Sequence, residues 1–164
     1  MTIILKNKYT LKVDDFKFRC SIGKRGISKK KVEGDRKTPF GTFKLGQLFY
    51  RKDRIKRPIT NLQNIVIRKN MGWCDDVNNK KNYNKLIKIN KKIHHEKLFR
   101  KDDKYNLIIP IKYNSKKRIP GKGSCIFIHL TKNYKPTLGC IALKKKDFLI
   151  MLKLINSKTK IKIS

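Results

Sequence analysis

The sequence of 164 residues has no apolar run approaching the ~18 residues that a transmembrane helix needs, which excludes a membrane-spanning helix. The apolar run within residues 1–8 is too short for a signal peptide, and no cleavage site follows it, so an unexported chain is expected. The sequence also lacks an internal repeat and a linker. These absences predict one domain over residues 1–164.

Cysteine is scarce and widely spaced. Cys20, Cys74, Cys125 and Cys140 show no C-x-x-C spacing and no paired spacing with His, which argues against a zinc site. Four cysteines in a chain of this length do not make a disulfide scaffold either. No metal or other cofactor is therefore expected, and the question is which thiol is reactive.

Acidic residues are few, since 11 Asp and Glu stand against 44 Lys and Arg, giving a net charge of +33. Such a balance suggests a polyanionic partner. The cations are 35 Lys and only 9 Arg, although Arg recognises phosphate better. Lys, Asn and Ile together supply 70 residues, an enrichment that the codon bias of an A/T-rich genome would produce. The high charge is thus open to two interpretations, a surface that binds a polyanion and a compositional bias on solvated faces. A nucleic-acid binder is disfavoured because no aromatic-rich RNA motif or recognition helix is present.

Short apolar stretches with period-2 alternation predict a mainly β fold. Strands are expected over 2–6, 9–13, 17–22, 42–50, 64–68, 106–114, 124–129, 137–143 and 159–163. Pro110 predicts that the 106–114 strand is an edge strand or contains a bulge. One helix is predicted over 147–155, from the spacing of Phe148, Met151, Leu152 and Ile155. The polar stretch 72–84, which holds the only Trp, is predicted to be a site-forming loop.

One apolar run ends at a histidine, and the next begins at a cysteine. Residues 124–129 read S-C-I-F-I-H, and residues 137–143 read T-L-G-C-I-A-L. If the runs are neighbouring strands, the His129 imidazole and the Cys140 thiol can meet as base and nucleophile. Alternation puts Cys125, Phe127 and His129 on one face. Backbone N–H groups at Gly139 and Cys140 are candidate oxyanion donors, and a neighbouring imidazolium is expected to lower the thiol pKa.

The remaining candidates have several interpretations. His94, His95 and Glu96 are consecutive and fit a metal cluster, a substrate contact or a solvated loop. Cys20, Cys74 and Cys125 are expected to be core or loop residues, since a lone Cys in an apolar run is usually a small buried hydrophobe.

Further motifs surround the Cys/His pair and resemble those of a known family. Residues 34–43 read G-D-R-K-T-P-F-G-T-F and are similar to the G-D-x-x-T-P-x-G-x-F signature of the L,D-transpeptidase (YkuD-type) catalytic domain. His129 followed by T-L-G-C resembles the second half of that signature. A subgroup common in alphaproteobacteria is closer still, and its motifs match residues 72–76, 95–96, 113–114, 120–129 and 136–143.

The resemblance implies an L,D-transpeptidase-like β-sandwich of mixed sheets with one packed C-terminal helix. It also implies a peptidyltransferase of peptidoglycan, with Cys140 as nucleophile and His129 as proton acceptor and donor. The partners would be a tetrapeptide donor and a diaminopimelate amine acceptor, with a 3→3 cross-link as product. Substrate contacts are expected from Thr137, Trp73, Asp75, Asp76, His95, Glu96, Arg100, Tyr113 and Asn114.

This chain departs from the broad family pattern beside the nucleophile. Leu138 occupies a position that is often His, and Ala142 one that is often Arg, so a usual carboxylate-binding group is missing. We hypothesise that Arg100, Lys122 or the Asp75 and Asp76 pair supplies the charged contacts. Leu130 follows His129, so a backbone carbonyl is expected to orient the imidazole and fix its tautomer.

Two further expectations follow from the resemblance. The main alternative activity is an L,D-carboxypeptidase or other hydrolase on the same fold, with water as acceptor. The substrate implies the bacterial cell envelope or periplasm, whereas the lack of a visible signal peptide leaves a cytoplasmic location open.

Overall fold

Fifteen short β-strands and one α-helix make up the chain, and the computed structural model describes residues 1–164. The first eight strands are β1 (Thr2–Lys6), β2 (Thr10–Val13), β3 (Phe16–Ser21), β4 (Ile27–Ser28), β5 (Thr38–Pro39), β6 (Gly41–Lys44), β7 (Leu48–Tyr50) and β8 (Asn64–Val66). The others are β9 (Met71–Cys74), β10 (Leu86–Lys88), β11 (His95–Lys97), β12 (Leu107–Pro110), β13 (Phe127–Leu130), β14 (Ile141–Leu143) and β15 (Lys160–Ile163). Helix α1 spans Lys145–Leu154.

Ten of the strands form one mixed sheet in the order β6-β15-β1-β2-β3-β14-β13-β12-β7-β8. A three-stranded sheet has the order β10-β9-β11, and β4 pairs with β5. The prediction of a mainly β, YkuD-like β-sandwich with one packed C-terminal helix is confirmed. None of the helical segments has the length and apolarity that crossing a bilayer would require.

The centre of the large sheet separates two apolar clusters. Ile126, Ile128 and Ile141 lie in the main core of 26 buried residues, which also holds Phe148, Met151 and Leu152 of α1. Phe127 belongs to a second cluster of eight buried residues on the opposite face, together with Cys125 and Cys140. The predicted alternation of faces along 125–129 is therefore confirmed.

Three predicted elements are wrong in detail. The strand expected over 42–50 is two strands, β6 and β7, because the chain leaves the ladder at Gly46, whose N–H donates to the Pro110 carbonyl over 2.7 Å. The strand containing Pro110 is neither an edge nor bulged, since β12 lies between β13 and β7. Pro110 is its last residue and has no partner on β7, so its missing N–H leaves no gap in that ladder.

The predicted loop over 72–84 contains a strand. β9 is the central strand of the small sheet, with Trp73 opposite Leu86 of β10 and Glu96 of β11. β10 and β11 have only three residues each, so neither is long enough to show the apolar alternation that identifies a half-buried strand.

Candidate active site

His129 lies on β13 and Cys140 immediately precedes β14, and these two strands are adjacent and parallel near the centre of the large sheet. His129 is paired with Ala142 across β13 and β14, which places Cys140 two residues before that pair and on the same face. A diagonal step of two residues between neighbouring strands is about 8 Å between Cα atoms, which two side chains can bridge. Both side chains line one open cleft of about 1420 Å³. The two runs are neighbouring strands, as predicted, but the strands are shorter than expected over 124–129 and 137–143: β13 begins at Phe127 and β14 at Ile141.

The His129 imidazole is oriented by its own strand. Its Nδ1 lies 2.8 Å from the Leu130 carbonyl, which can only accept, so Nδ1 carries the proton and Nε2 is the basic nitrogen. The Tyr105 ring packs edge-on against the imidazole at 5.5 Å between centroids. Burial disfavours the charged form and lowers the His129 pKa from 6.5 to about 4. The predicted role of a backbone carbonyl is confirmed.

The Cys140 thiol is buried between backbone groups. The Phe127 N–H donates to Sγ over 3.3 Å, and the thiol donates to the Cys125 carbonyl over 3.2 Å. Burial raises the pKa of this thiol from 9.0 to about 12. The prediction of a lowered thiol pKa is therefore wrong, because a neutral imidazole supplies no charge and desolvation outweighs the basic surroundings. Both shifts favour the uncharged forms, a thiol and a neutral imidazole.

A tight turn delivers Cys140 to the cleft. The Thr137 hydroxyl donates to the Cys140 carbonyl over 2.6 Å and accepts from the Gly139 N–H over 3.1 Å. Gly139 has φ +140°, and a Cβ there would lie 2.9 Å from the Lys37 carbonyl, so the position requires glycine. Both N–H groups were expected as oxyanion donors. The one at Gly139 is engaged by Thr137, whereas that of Cys140 makes no hydrogen bond within the chain.

Hydrogen bonds from the 34–43 motif hold this turn in place. The buried Thr38 hydroxyl donates to the Gly139 carbonyl over 2.9 Å and accepts from the Gly23 N–H over 2.9 Å. Asp35 accepts from the Lys37 N–H over 2.9 Å and pairs with the ammonium of Lys31, a buried residue at the cleft. Lys31 and its hydrogen bonds hold the Asp35 pKa below its usual value despite partial burial. The motif thus supports the turn that carries Cys140.

Glu96 and Arg100 form a charged group that lines the cleft. The Tyr105 hydroxyl donates to Glu96, and the Arg100 guanidinium lies 3.8 Å from the same carboxylate. Burial raises the Glu96 pKa above its usual value, even though Tyr105 and Arg100 oppose that shift. Arg100 also makes a two-pronged contact with Asp102, over 2.9 and 2.6 Å. Both predicted residues line the cleft, together with Asp75 and Thr137.

Other predicted contacts lie outside the cleft. Trp73 packs edge-on against Phe127, with ring centroids 5.3 Å apart, and donates to the Asn84 side chain over 2.9 Å. Because Phe127 lies on β13, Trp73 packs against the strand that carries His129. Asp76 caps a turn by accepting from the Asn78 N–H over 3.0 Å, and it also accepts from the His94 N–H over 3.2 Å. His95 contacts Gly72 and the Ile93 carbonyl, and its Nε2 is buried without a partner.

Tyr113 and Asn114 organise the loop before β13. The Tyr113 hydroxyl donates to the Lys122 carbonyl over 2.6 Å, and the Asn114 amide donates to the Ile119 and Gly123 carbonyls over 2.9 and 3.0 Å. Neither side chain lines the cleft, and Lys122 is an exposed residue outside it. Of the hypothesised charged contacts, Arg100 and Asp75 therefore reach the cleft, whereas Asp76 and Lys122 do not.

Several residues of the cleft that bear on its chemistry were missed by sequence reasoning. They are Lys31, Glu33, Tyr105 and Ser124. Lys31 and Glu33 directly precede the G-D motif, and Ser124 belongs to the quoted S-C-I-F-I-H run, so proximity to the motifs was the available signal. Cys20, Cys74 and Cys125 are buried free thiols, as predicted. No group of three or more His, Cys, Asp or Glu side chains is arranged to hold a metal ion.

Comparison with known proteins places this chain in a family. Residues 3–163 match the family described as YkuD, L,D-transpeptidase catalytic domain. Two solved structures are similar: the helical cell shape determining protein Pgp2 from Campylobacter jejuni and a mutant of it, with TM-scores of 0.54 and 0.53. Each is 18% identical and is matched over 99% of this chain and 46% of its own, so this chain spans about half their length. No curated protein matches the chain.

The family match covers nearly the whole chain, including the two strands that carry His129 and Cys140. The structural similarity, at its low identity, supports the fold alone. The chain therefore belongs to the L,D-transpeptidase catalytic domain (YkuD) family, whose members act on peptidoglycan peptides.

Proposed function

We propose that this chain is a cysteine peptidyltransferase that acts on peptidoglycan stem peptides through a thioacyl-enzyme on Cys140. One observation carries the proposal: Cys140 and His129 line the same cleft from adjacent parallel strands, and His129 presents Nε2 as its basic nitrogen. A thiol beside an oriented imidazole base is the arrangement that covalent acyl transfer requires.

In the first half-reaction the Cys140 Sγ attacks the carbonyl carbon of the third residue of a tetrapeptide stem. His129 Nε2 takes the thiol proton as the S–C bond forms, so the uncharged pair found at rest needs no preformed thiolate. The Cys140 N–H, free within the chain, is the candidate donor to the developing oxyanion. Collapse of the tetrahedral intermediate breaks the C–N bond, and the imidazolium returns the proton to the departing D-Ala amine.

In the second half-reaction an acceptor resolves the thioester. A diaminopimelate amine gives up a proton to His129, attacks the carbonyl carbon and displaces the Cys140 sulfur, which regains that proton. The product is a 3→3 cross-link. Water in place of the amine gives the carboxypeptidase outcome, which is the alternative activity on the same residues.

The charges around the cleft suit a ligand with groups of both signs. Five of the 11 carboxylates line it, although it is formed by only 30 of the 164 residues, and eight Lys and Arg side chains lie among them. A stem peptide carries carboxylates and an ammonium group, and both kinds of group find opposite charges in the cleft. The peptidoglycan substrate implies action in the cell envelope or periplasm.

Intact-mass spectrometry after incubation with a tetrapeptide stem tests the proposal. The wild type should gain the mass of the tripeptide acyl group and release D-Ala. Cys140→Ser should gain no stable adduct, whereas Cys74→Ser, which alters a buried thiol away from the cleft, should be acylated like the wild type. Absence of an adduct on the wild type across a range of pH would overturn the proposal.

A further inference from the structure

Glu33 is the one carboxylate of the cleft without a cationic partner. Asp75 pairs with His94, Glu96 and Asp102 with Arg100, and Asp103 with Lys132. Glu33 takes part in no ion pair, although the chain has 44 Lys and Arg residues. Lys31, two positions away, is already occupied by Asp35 and the Lys37 carbonyl. A carboxylate left free in so basic a chain is available for a cation from outside.

The Glu33 carboxylate is held in place by two hydroxyl groups. Its Oε2 accepts from the fully buried Tyr83 and, over 2.8 Å, from the buried Ser124. The Glu33 N–H donates to the Gly121 carbonyl over 2.8 Å, which ties the backbone to the neighbouring loop. Oε1 makes no hydrogen bond within the chain. Glu33, which lines the cleft, therefore keeps one oxygen of a fixed carboxylate free to accept a hydrogen bond from a ligand.

The position of Glu33 fits the length of a diamino acid. Its contact Ser124 precedes Cys125, whose carbonyl is 3.2 Å from the Cys140 Sγ, so carboxylate and thiol lie within about 15 Å of each other. In a diaminopimelate residue, six bonds separate the attacked carbonyl carbon from the distal nitrogen, or about 7.5 Å when extended. With an attack distance of about 3 Å and a hydrogen bond of about 3 Å added, the ligand reaches about 13.5 Å, which is compatible with that upper limit.

We propose that Glu33 binds the distal ammonium group of the donor's third residue while Cys140 attacks the carbonyl carbon of that residue. Glu33 is then a specificity-determining residue, and Tyr83 and Ser124 are positioning residues that aim its carboxylate. The inference rests on the proposed function and adds the recognition of a side-chain ammonium at a site that no motif position had suggested.

Two donor tetrapeptides test the inference. One has diaminopimelate at its third position, and the other has 2-aminopimelate, which keeps the distal carboxylate and lacks the ammonium. The measurement is the ratio of the two second-order rate constants for acylation of Cys140, followed by intact mass. Glu33→Gln removes the charge and keeps an oxygen to accept from Tyr83 and Ser124. Because the ratio compares two peptides on one sample, a partly unfolded variant does not distort it.

We expect the wild type to prefer the diaminopimelate peptide and Glu33→Gln to reduce that preference about tenfold or more, since a charge-assisted hydrogen bond is lost. Asp103→Asn removes a cleft carboxylate that already has a partner and should leave the preference unchanged. An unchanged preference in Glu33→Gln, with acylation intact, would overturn this inference alone. Failure of both peptides to acylate the wild type would overturn the proposed function, and the role of Glu33 with it.

Discussion

The Thr38 hydroxyl donates a hydrogen bond of 2.9 Å to the Gly139 carbonyl across 101 positions of sequence. The same hydroxyl accepts from the Gly23 N–H over 2.9 Å, so one side chain satisfies two buried backbone groups of separate loops. Thr38 therefore joins the 34–43 motif to the turn that carries Cys140. The two motifs quoted for the family are parts of one structure.

Replacing Thr38 with the isosteric Val should destabilise the fold and slow acylation. The change leaves the Gly139 carbonyl and the Gly23 N–H buried without partners, at a cost of about 2–4 kcal/mol. Urea denaturation and the acylation rate measure the two effects. Thr42→Val, at an exposed position of β6, is the matched control and should change neither quantity. Equal stabilities of the two variants would contradict the proposed support of the turn.

Gly139→Ala should be more harmful than a Gly→Ala change at another positive φ. The new Cβ would lie 2.9 Å from the Lys37 carbonyl, so the turn must shift and carry Cys140 with it. Gly121 has φ +80° with nothing within 4 Å of its Cβ position, so Gly121→Ala adds backbone strain of about 1 kcal/mol and no collision. We expect slower acylation in Gly139→Ala alone, by the same mass assay.

The raised thiol pKa predicts slow alkylation of Cys140 by iodoacetamide at pH 7. A pKa of about 12 in place of 9.0 means 12 − 9 = 3 units, so the thiolate is about a thousandfold rarer than in an unperturbed thiol. The alkylation rate, measured by peptide mapping, should rise about tenfold per pH unit from pH 7 to 10. A plateau near neutral pH would instead indicate a thiolate and imidazolium pair.

The buried imidazole predicts a loss of stability in acid. His129 takes up its proton near pH 6.5 when unfolded and near pH 4 when folded. Between these values the unfolded state binds the proton first, so the stability present above pH 6.5 falls as the pH approaches 4. The difference of 6.5 − 4 = 2.5 units corresponds to about 3 kcal/mol.

His129→Gln isolates that contribution, because Gln does not titrate. Denaturant unfolding at pH 7 and pH 4 should show the wild type losing about 3 kcal/mol more than the variant over this interval. Parallel losses in the two proteins would show that His129 is not the titrating group. Carboxylates with shifted pKa values, such as Asp35, affect both proteins equally and cancel in the comparison.

The local pattern of the sequence predicted the centre of the site well. Period-2 alternation placed Phe127 and His129 on one face, and the short apolar runs placed His129 and Cys140 on neighbouring strands. Both predictions depend on residues close together in sequence, whose geometry a strand determines. The catalytic roles of the pair stay predictions.

The pKa shifts of Cys140 and His129 could not be predicted from the sequence. The pKa of Cys140 depends on burial beside Phe127, Trp73 and Tyr105, which come from three separate strands or loops. Glu33 was missed for the same reason, since its partners Tyr83 and Ser124 are 50 and 91 positions away. The small sheet around β9 was missed because β10 and β11, at three residues each, are too short to display the alternation that marks a strand.

The central place of β13 and β14 has a consequence for hydrogen exchange. They are the sixth and seventh of ten strands in the large sheet, each with neighbours on both sides. Opening the backbone at His129 means separating the sheet near its middle, so the amides of these two strands should exchange with solvent only in the rarest, near-global openings. The edge strands β6 and β8 can fray independently. The chemistry is thus carried by the slowest-opening part of the protein, and the loops around it remain free to adapt to a peptide.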